Sequence, residues 1–269
     1  MKSTTILLLS ALLAVSSCNE HKNKNEGSSR VREENHSGKG SDEQKTVSGD
    51  FDEISVSESI EAEVIKSDVE KVVIYAPQNI IDEILVENSG GSLHIHYKSG
   101  FRMNGFNNVR AKIYTKDFSK ISADSSASIV VKDKFTQDKT VVEASSSAEI
   151  SGHLEANDLT INVSSSGNFE GQVWAVNLNV DASSASEINI KGKAEKGNFN
   201  VSSGSSAEAK DVVVKDVVVE ASSGAGISVS ASQSINANSS SGASIDVYKK
   251  GNVTSINVEE NSGGNVSVH

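Results

Sequence analysis

Asp124-Ser125-Ser126-Ala127-Ser128-Ile129 returns as Ser145-Ser146-Ser147-Ala148-Glu149-Ile150 and again as Ser164-Ser165-Ser166-Gly167-Asn168-Phe169. The phrase begins afresh at Ser183, Ser202, Ser222, Ser240 and Asn261, with successive starts 21, 19, 19, 19, 20, 18 and 21 residues apart. Eight copies with a period near 19 mark a solenoid. A unit this short cannot bury its own apolar face and must stack on its neighbours.

Let the first residue of each copy be position zero. Position +1 is then serine throughout: Ser125, Ser146, Ser165, Ser184, Ser203, Ser223, Ser241 and Ser262. Position +2 is always small: Ser126, Ser147, Ser166, Ala185, Gly204, Gly224, Gly242 and Gly263. Small residues at one place per coil read as a tight turn, in which serine hydroxyls can bond nearby backbone and glycine accepts a positive φ.

On either side of the turn, apolar and polar residues alternate with the period of a strand. Position +5 reads Ile129, Ile150, Phe169, Ile188, Ala207, Ile227, Ile245 and Val266; position −3 reads Ile121, Val142, Ile161, Val180, Phe199, Val219, Ala237 and Val258. Position −5 adds Leu159, Leu178, Val217, Ile235 and Ile256. No helical apolar stripe survives through the turns. The pattern predicts an all-β parallel β-helix with two main sheets. At about 4.8 Å per coil, eight coils make a rod of roughly 40 Å. The general crossover preference adds the expectation of a right-handed coil.

Residues 1–17 carry Lys2 and then an apolar run, Ile6 to Val15, too short to span a bilayer permanently. They read as a signal peptide. Val15-Ser16-Ser17-Cys18 resembles a bacterial lipobox, which implies a lipidated Cys18 as the mature N-terminus; ordinary signal cleavage beside an accidental cysteine is the alternative. Cys18 is the only cysteine, so no disulfide framework and no cysteine metal site is available.

Residues 18–46 are almost free of apolar side chains and are expected to form a disordered tether. It holds six acids and six bases, so it is neutral. Loss of Lys2 takes the chain from −11 to −12, all of it on the folded part. That charge argues against nucleic acid and against direct docking on anionic lipid.

Residues 47–123 are strand-like but less regular and are expected to be atypical coils capping one end of the solenoid over 124–269, within one continuous domain. Gln78 to Glu83, after the single proline Pro77, suits a short helix or turn. Asn88-Ser89-Gly90-Gly91-Ser92-Leu93 echoes the turn phrase, and residues 98–108 read as a loop.

Gly49-Asp50-Phe51-Asp52-Glu53-Ile54-Ser55-Val56, Gly90-Gly91-Ser92-Leu93-His94-Ile95 and the repeated small-Ser-small turns resemble the putative autotransporter adhesin, head GIN domain family. The match covers about residues 47–250. It implies a β-helix similar to pectin-lyase folds without a recognised active site, in lipoproteins of Gram-negative bacteria, the Bacteroidetes in particular, with adhesion as the family's suggested role. Such proteins usually carry Gly-Ser-Gly at the turn; here the first position is mostly Ser or Asp, and glycine enters only in later coils.

Several side chains invite chemistry. Serine as a nucleophile needs a base in hydrogen-bond reach, and the regular repeat offers only His153 besides the terminal His269. His94 and His96 share one strand face, opposite Leu93, Ile95 and Tyr97. They could begin a metal site, but no third ligand is apparent, and a solvated outer pair is the plainer reading. Trp174 at +10 could cover the core edge or stack on a sugar ring. Position −2 alternates acid with amide or serine (Ser122, Glu143, Asn162, Asp181, Asn200, Glu220, Asn238, Glu259), which spaces successive acids about 10 Å apart, too far to share one metal. A polysaccharide-active enzyme would need a cluster breaking the repeat at one level, and none is visible. No catalytic residue, metal or cofactor is therefore assigned.

Outward positions −4 and −2 are rich in asparagine: Asn162, Asn179, Asn198, Asn200, Asn236 and Asn238. Amides at regular spacing offer donors and acceptors to a glycan or to another protein's sheet face; equally, they could bond one another along the rod. The expectation is an outer-membrane lipoprotein with an adhesin-like domain, facing the periplasm or the outside. The alternative is an envelope scaffold.

Overall fold

The structure, a computed structural model, describes residues 41–101 and 108–269. Strands β1 (Asp42–Ser48), β2 (Glu53–Val56), β3 (Glu61–Lys66), β4 (Lys71–Pro77), β5 (Ile84–Ser89), β6 (Ser92–Tyr97), β7 (Arg110–Thr115) and β8 (Lys120–Ala123) build the N-terminal end. A single turn of 3-10 helix at Ile81–Glu83 follows Pro77, as its composition led one to expect.

The solenoid proper runs through β9 (Ser128–Ala144), β10 (Glu149–Val163), β11 (Asn168–Ala182), β12 (Glu187–Val201), β13 (Ser206–Ala221), β14 (Gly226–Ser239), β15 (Ser244–Lys249), β16 (Ser255–Glu260) and β17 (Asn265–Val268). Every neighbouring pair in this part is parallel and in the register of the repeat: Ile150 faces Ile129 and Phe169, and Phe169 faces Ile188. The two sheet faces of each coil run into one another at the corner far from the serine turn, so β9 to β13 each reach from one turn to the next. Register shifts fall between Gly152 and Leu154, between Asn189 and Lys191, and, where β13 meets β14, between Ala209 and Val213 and between Val214 and Asp216, on the approach to that corner and across it. That stretch takes up the differences in coil length and keeps the serine column aligned.

The alternation has the expected consequence. Positions −3 and +5 are buried from Ile121 and Ile129 up to Ala237 and Ile245. Phe169 and Phe199 are fully buried among them. The last coil departs from the pattern, because β16 and β17 have a parallel neighbour on one side only. Its inward-type residues Ile256 and Val258 are 50% and 39% exposed.

The serine turns are pairs of left-handed residues. Ser146 and Ser147 have φ of 53° and 63°, and Ser223 and Gly224 of 55° and 72°. The Ala148 N–H donates to the Ser145 carbonyl at 3.0 Å, closing a four-residue turn of the primed type. Position +3 (Ala127, Ala148, Ser186, Ser205, Ala225, Ala243) is buried at the corner, which is why it is always small.

The N-terminal end holds a turn that the serine phrase did not mark. Ser57-Glu58-Ser59-Ile60 is a further turn of the same kind, with Glu58 and Ser59 both at φ 61°, and it stacks beneath the first repeat through Ser59 N–H to Ser125 O at 2.9 Å. β2 and β3 are thus one more coil, in register with β8 and β9. Beyond them β6 and β7 still stack parallel on β2 and β3, but the rest of the cap is antiparallel: β4 pairs with β7, β1 with β4, and β5 with β6. Gly90 and Gly91 therefore form a hairpin turn between β5 and β6, not a solenoid corner. β1 begins at Asp42, inside the segment expected to be a tether, because Thr46 and Val47 lie opposite Val73 and Val72 of an otherwise open strand edge. Antiparallel strands of this kind close the end against edge-to-edge pairing.

Candidate binding faces

The eight turn serines, Ser125 to Ser262, stand exposed in one line along the rod. Among the described residues their hydroxyls make no hydrogen bond; backbone groups close and stack the turns instead. His153 Nε2 lies 3.5 Å from Glu155 Oε1, so its partner is a carboxylate and not a turn serine.

The six asparagines share one face in two adjacent columns. Asn179 is the register partner of Asn198, and Asn200 that of Asp181. Asn200 Nδ2 donates to Asp181 Oδ1 at 3.2 Å, and Asn257 Nδ2 donates to Asn236 Oδ1 at 3.1 Å. The side chains of Asn162, Asn179, Asn198 and Asn238 make no hydrogen bond among the described residues. Near the far corner, Asn157 and Asn177 do bond to Asp138 and Asp158, at 2.9 and 2.7 Å. Cross-coil amide ladders therefore form at that corner and only patchily on the asparagine face.

Several outward acids are held by neighbours. Glu143 meets Lys120 at 2.8 Å, and Glu63 lies between Lys112 and Lys132. Lys134 and Thr136 hold Glu155 at 3.1 Å each, and the bond from Lys134 keeps its carboxyl below the usual range. A hollow of about 450 Å³ over β3, β7 and β9 is lined by Glu61, Glu63, Tyr75, Arg110 and Lys112. Its cations are already engaged: Arg110 pairs with Asp42, Lys112 with Glu63, and both lie near the Tyr75 ring.

His94 and His96 are half-buried on the outer side of β6, with their rings stacked 4.2 Å apart. His96 Nε2 lies 3.4 Å from Glu87 and His94 Nε2 3.2 Å from Ser57 Oγ. Among the described residues no group of three His, Cys, Asp or Glu is placed to hold a metal ion. Trp174 points outward and is 41% exposed, while Val173 and Ala175 beside it are buried. Cys18 lies outside the described residues. No described helix is long and apolar enough to cross a membrane.

Solved structures share this architecture. A putative adhesin from Parabacteroides merdae superposes with a TM-score of 0.77 at 18% identity, covering 86% of this chain and 98% of that one. A putative adhesin from Parabacteroides distasonis gives 0.76 at 23% identity, with the same coverage of 86% and 98%. A putative lipid binding protein from the same organism gives 0.73 at 20% identity, again covering 86% and 98%. At these identities the likeness shows the fold alone. No curated protein matches the sequence. The family model described as putative auto-transporter adhesin, head GIN domain, matches residues 50–252. With three quarters of its length matched, the chain belongs to that adhesin-type head GIN domain family.

Proposed function

We propose that this chain is a cell-envelope lipoprotein, anchored through Cys18 to the outer membrane and facing outward, whose solenoid binds a polar ligand on its asparagine face. The family is described by adhesion, and the similar structures are described as adhesins or as a lipid binding protein, so binding rather than catalysis is common to them. The rod supplies a rigid platform, because its core is closed by stacked aliphatic and aromatic side chains.

One observation carries the choice of face. Asn179 and Asn198 are register partners, yet their amides do not bond to each other. Were the column a structural ladder, that pair would be joined as Asn236 and Asn257 are. Unspent donors and acceptors at coil spacing are what a polar partner requires.

Replacing Asn179, Asn198 and Asn200 together by serine tests this. The variant loses one exposed hydrogen bond, Asn200 to Asp181, so its melting temperature should fall by no more than about 2–4 °C. Adhesion of expressing cells to their cognate surface should fall. Unchanged adhesion in the folded variant contradicts the assignment of this face.

A further inference from the structure

On the opposite side of the coil, three strands bring nine outward side chains into a grid. β10 gives Ser151, His153 and Glu155; β11 gives Glu170, Gln172 and Trp174; β12 gives Asn189, Lys191 and Lys193. Glu170 lies between Ser151 and Asn189, Gln172 between His153 and Lys191, and Trp174 between Glu155 and Lys193. Rows of such a grid lie about 4.8 Å apart along the rod. A hollow of about 450 Å³ opens over Ser151, Gly152, Glu170, Gly171, Gln172, Asn189 and Lys191.

The floor of that hollow is bare backbone for a steric reason. A Cβ on Gly152 would sit 2.6 Å from Val131 Cβ, and one on Gly171 would sit 2.5 Å from the Gly152 carbonyl. The side chains that line it, and Trp174 and Lys193 beside it, are chemically unspent. Glu170, Lys191 and Lys193 have no ion-pair partner among the described residues, and the amides of Gln172 and Asn189 have no hydrogen-bond partner there. Among the described residues the Trp174 indole is covered by neither a ring nor a cation, and its N–H has no hydrogen-bond partner. Glu155, beside it, is tied to Lys134 and Thr136 on β9 and so leaves the indole clear. This contrasts with the hollow at Tyr75, whose cations already pair with acids of this chain.

We propose that this grid is a saccharide-binding site for an acidic pyranose, separate from the asparagine face. The apolar C–H face of the sugar stacks on Trp174. Gln172, Asn189 and Glu170 exchange hydrogen bonds with ring hydroxyls, for which amides serve as both donor and acceptor. Lys191 and Lys193 receive the sugar carboxylate in charge-assisted bonds, the stronger kind of hydrogen bond.

Because Trp174 is the only tryptophan, its fluorescence reports on this site alone. The mature protein is titrated with a galacturonate trimer and, separately, with the matching neutral galactose trimer. A saturable change with the acidic trimer, at least about tenfold tighter than with the neutral one, is expected, since only the carboxylated sugar forms charge-assisted bonds with the lysines. By calorimetry, Trp174→Ala should abolish binding and Lys191→Ala with Lys193→Ala should weaken it at least about tenfold, with melting temperatures unchanged. Equal affinity for the two trimers, undiminished binding by folded Trp174→Ala, or no saturable change up to about 10 mM overturns the proposal.

Discussion

The Ser126 N–H donates to the Ser146 carbonyl one coil further along, at 3.0 Å. The same bond joins Ser147 to Ser165, Ser166 to Ser184, Ala185 to Ser203, Gly204 to Ser223 and Gly224 to Ser241. The corner of each coil is therefore held by peptide groups, and both central residues must adopt left-handed φ to present them.

That requirement makes serine at position +2 a local cost. Ser126, Ser147 and Ser166 sit at φ of 64°, 63° and 62°. At Gly204, Gly224 and Gly242 in the same column a Cβ would meet nothing, so the cost is conformational and not steric crowding by neighbours. A left-handed conformation costs a non-glycine residue about 1–2 kcal/mol, against about 0.5–1 kcal/mol that glycine loses in chain entropy. Ser147→Gly should accordingly stabilise the protein by about 0.5 kcal/mol, and Ser147→Val should destabilise it. Urea midpoints check both signs.

One corner is closed differently. Ser186 and Ser205 are buried in the column where other coils carry alanine or glycine. The Ser186 N–H donates to Ser205 Oγ at 3.2 Å instead of to Ser183, and Ser186 Oγ donates to the Val163 carbonyl at 2.9 Å. Ser205→Ala strands a buried backbone N–H, which costs about 1–3 kcal/mol. Ser186→Ala removes a hydroxyl but strands no N–H, so it should cost less, about 0.5–1.5 kcal/mol. The reverse order in urea unfolding would refute the assignment.

Much of this was legible because a repeat shows the same position many times over. Positions −3 and +5 reported the core of Phe169 and Phe199 from alternation alone, and the serine line marked every regular corner. Where a feature occurs once, the pattern fails. Glu58 and Ser59 form a turn, but they lack the serine phrase and so carry no repeat signal. Asp42 to Thr46 are polar and read as tether, although what orders them is the open edge of β4. The exposure of Ile256 depends on which strand lies beyond it, and its own residue type is silent on that. Trp174 carried two readings in sequence; its outward direction follows from the register of β11 and from buried Val173 and Ala175.

Acid should weaken the N-terminal cap. Burial, and then the neighbouring His96, lower the His94 pKa from 6.5, against the opposing pull of Asp124, Glu87 and Glu58. The unfolded chain then takes up its proton first as the pH falls. Stability is present above about pH 6.5, is lost as the pH drops below that value towards the lower folded pKa, and levels off beneath it. Melting temperature should decline between about pH 7.5 and 5.5, and His94→Gln should flatten that slope. An unaltered slope in the variant removes His94 as its cause.

An adhesive role requires the folded domain to face outward. Intact cells expressing the chain are treated with a protease, and the folded domain is followed by immunoblot. Release or loss of the domain from intact cells, together with lipid-precursor labelling that disappears in Cys18→Ala, is the predicted result. Full protection until the outer membrane is permeabilised would contradict an outward-facing adhesive role.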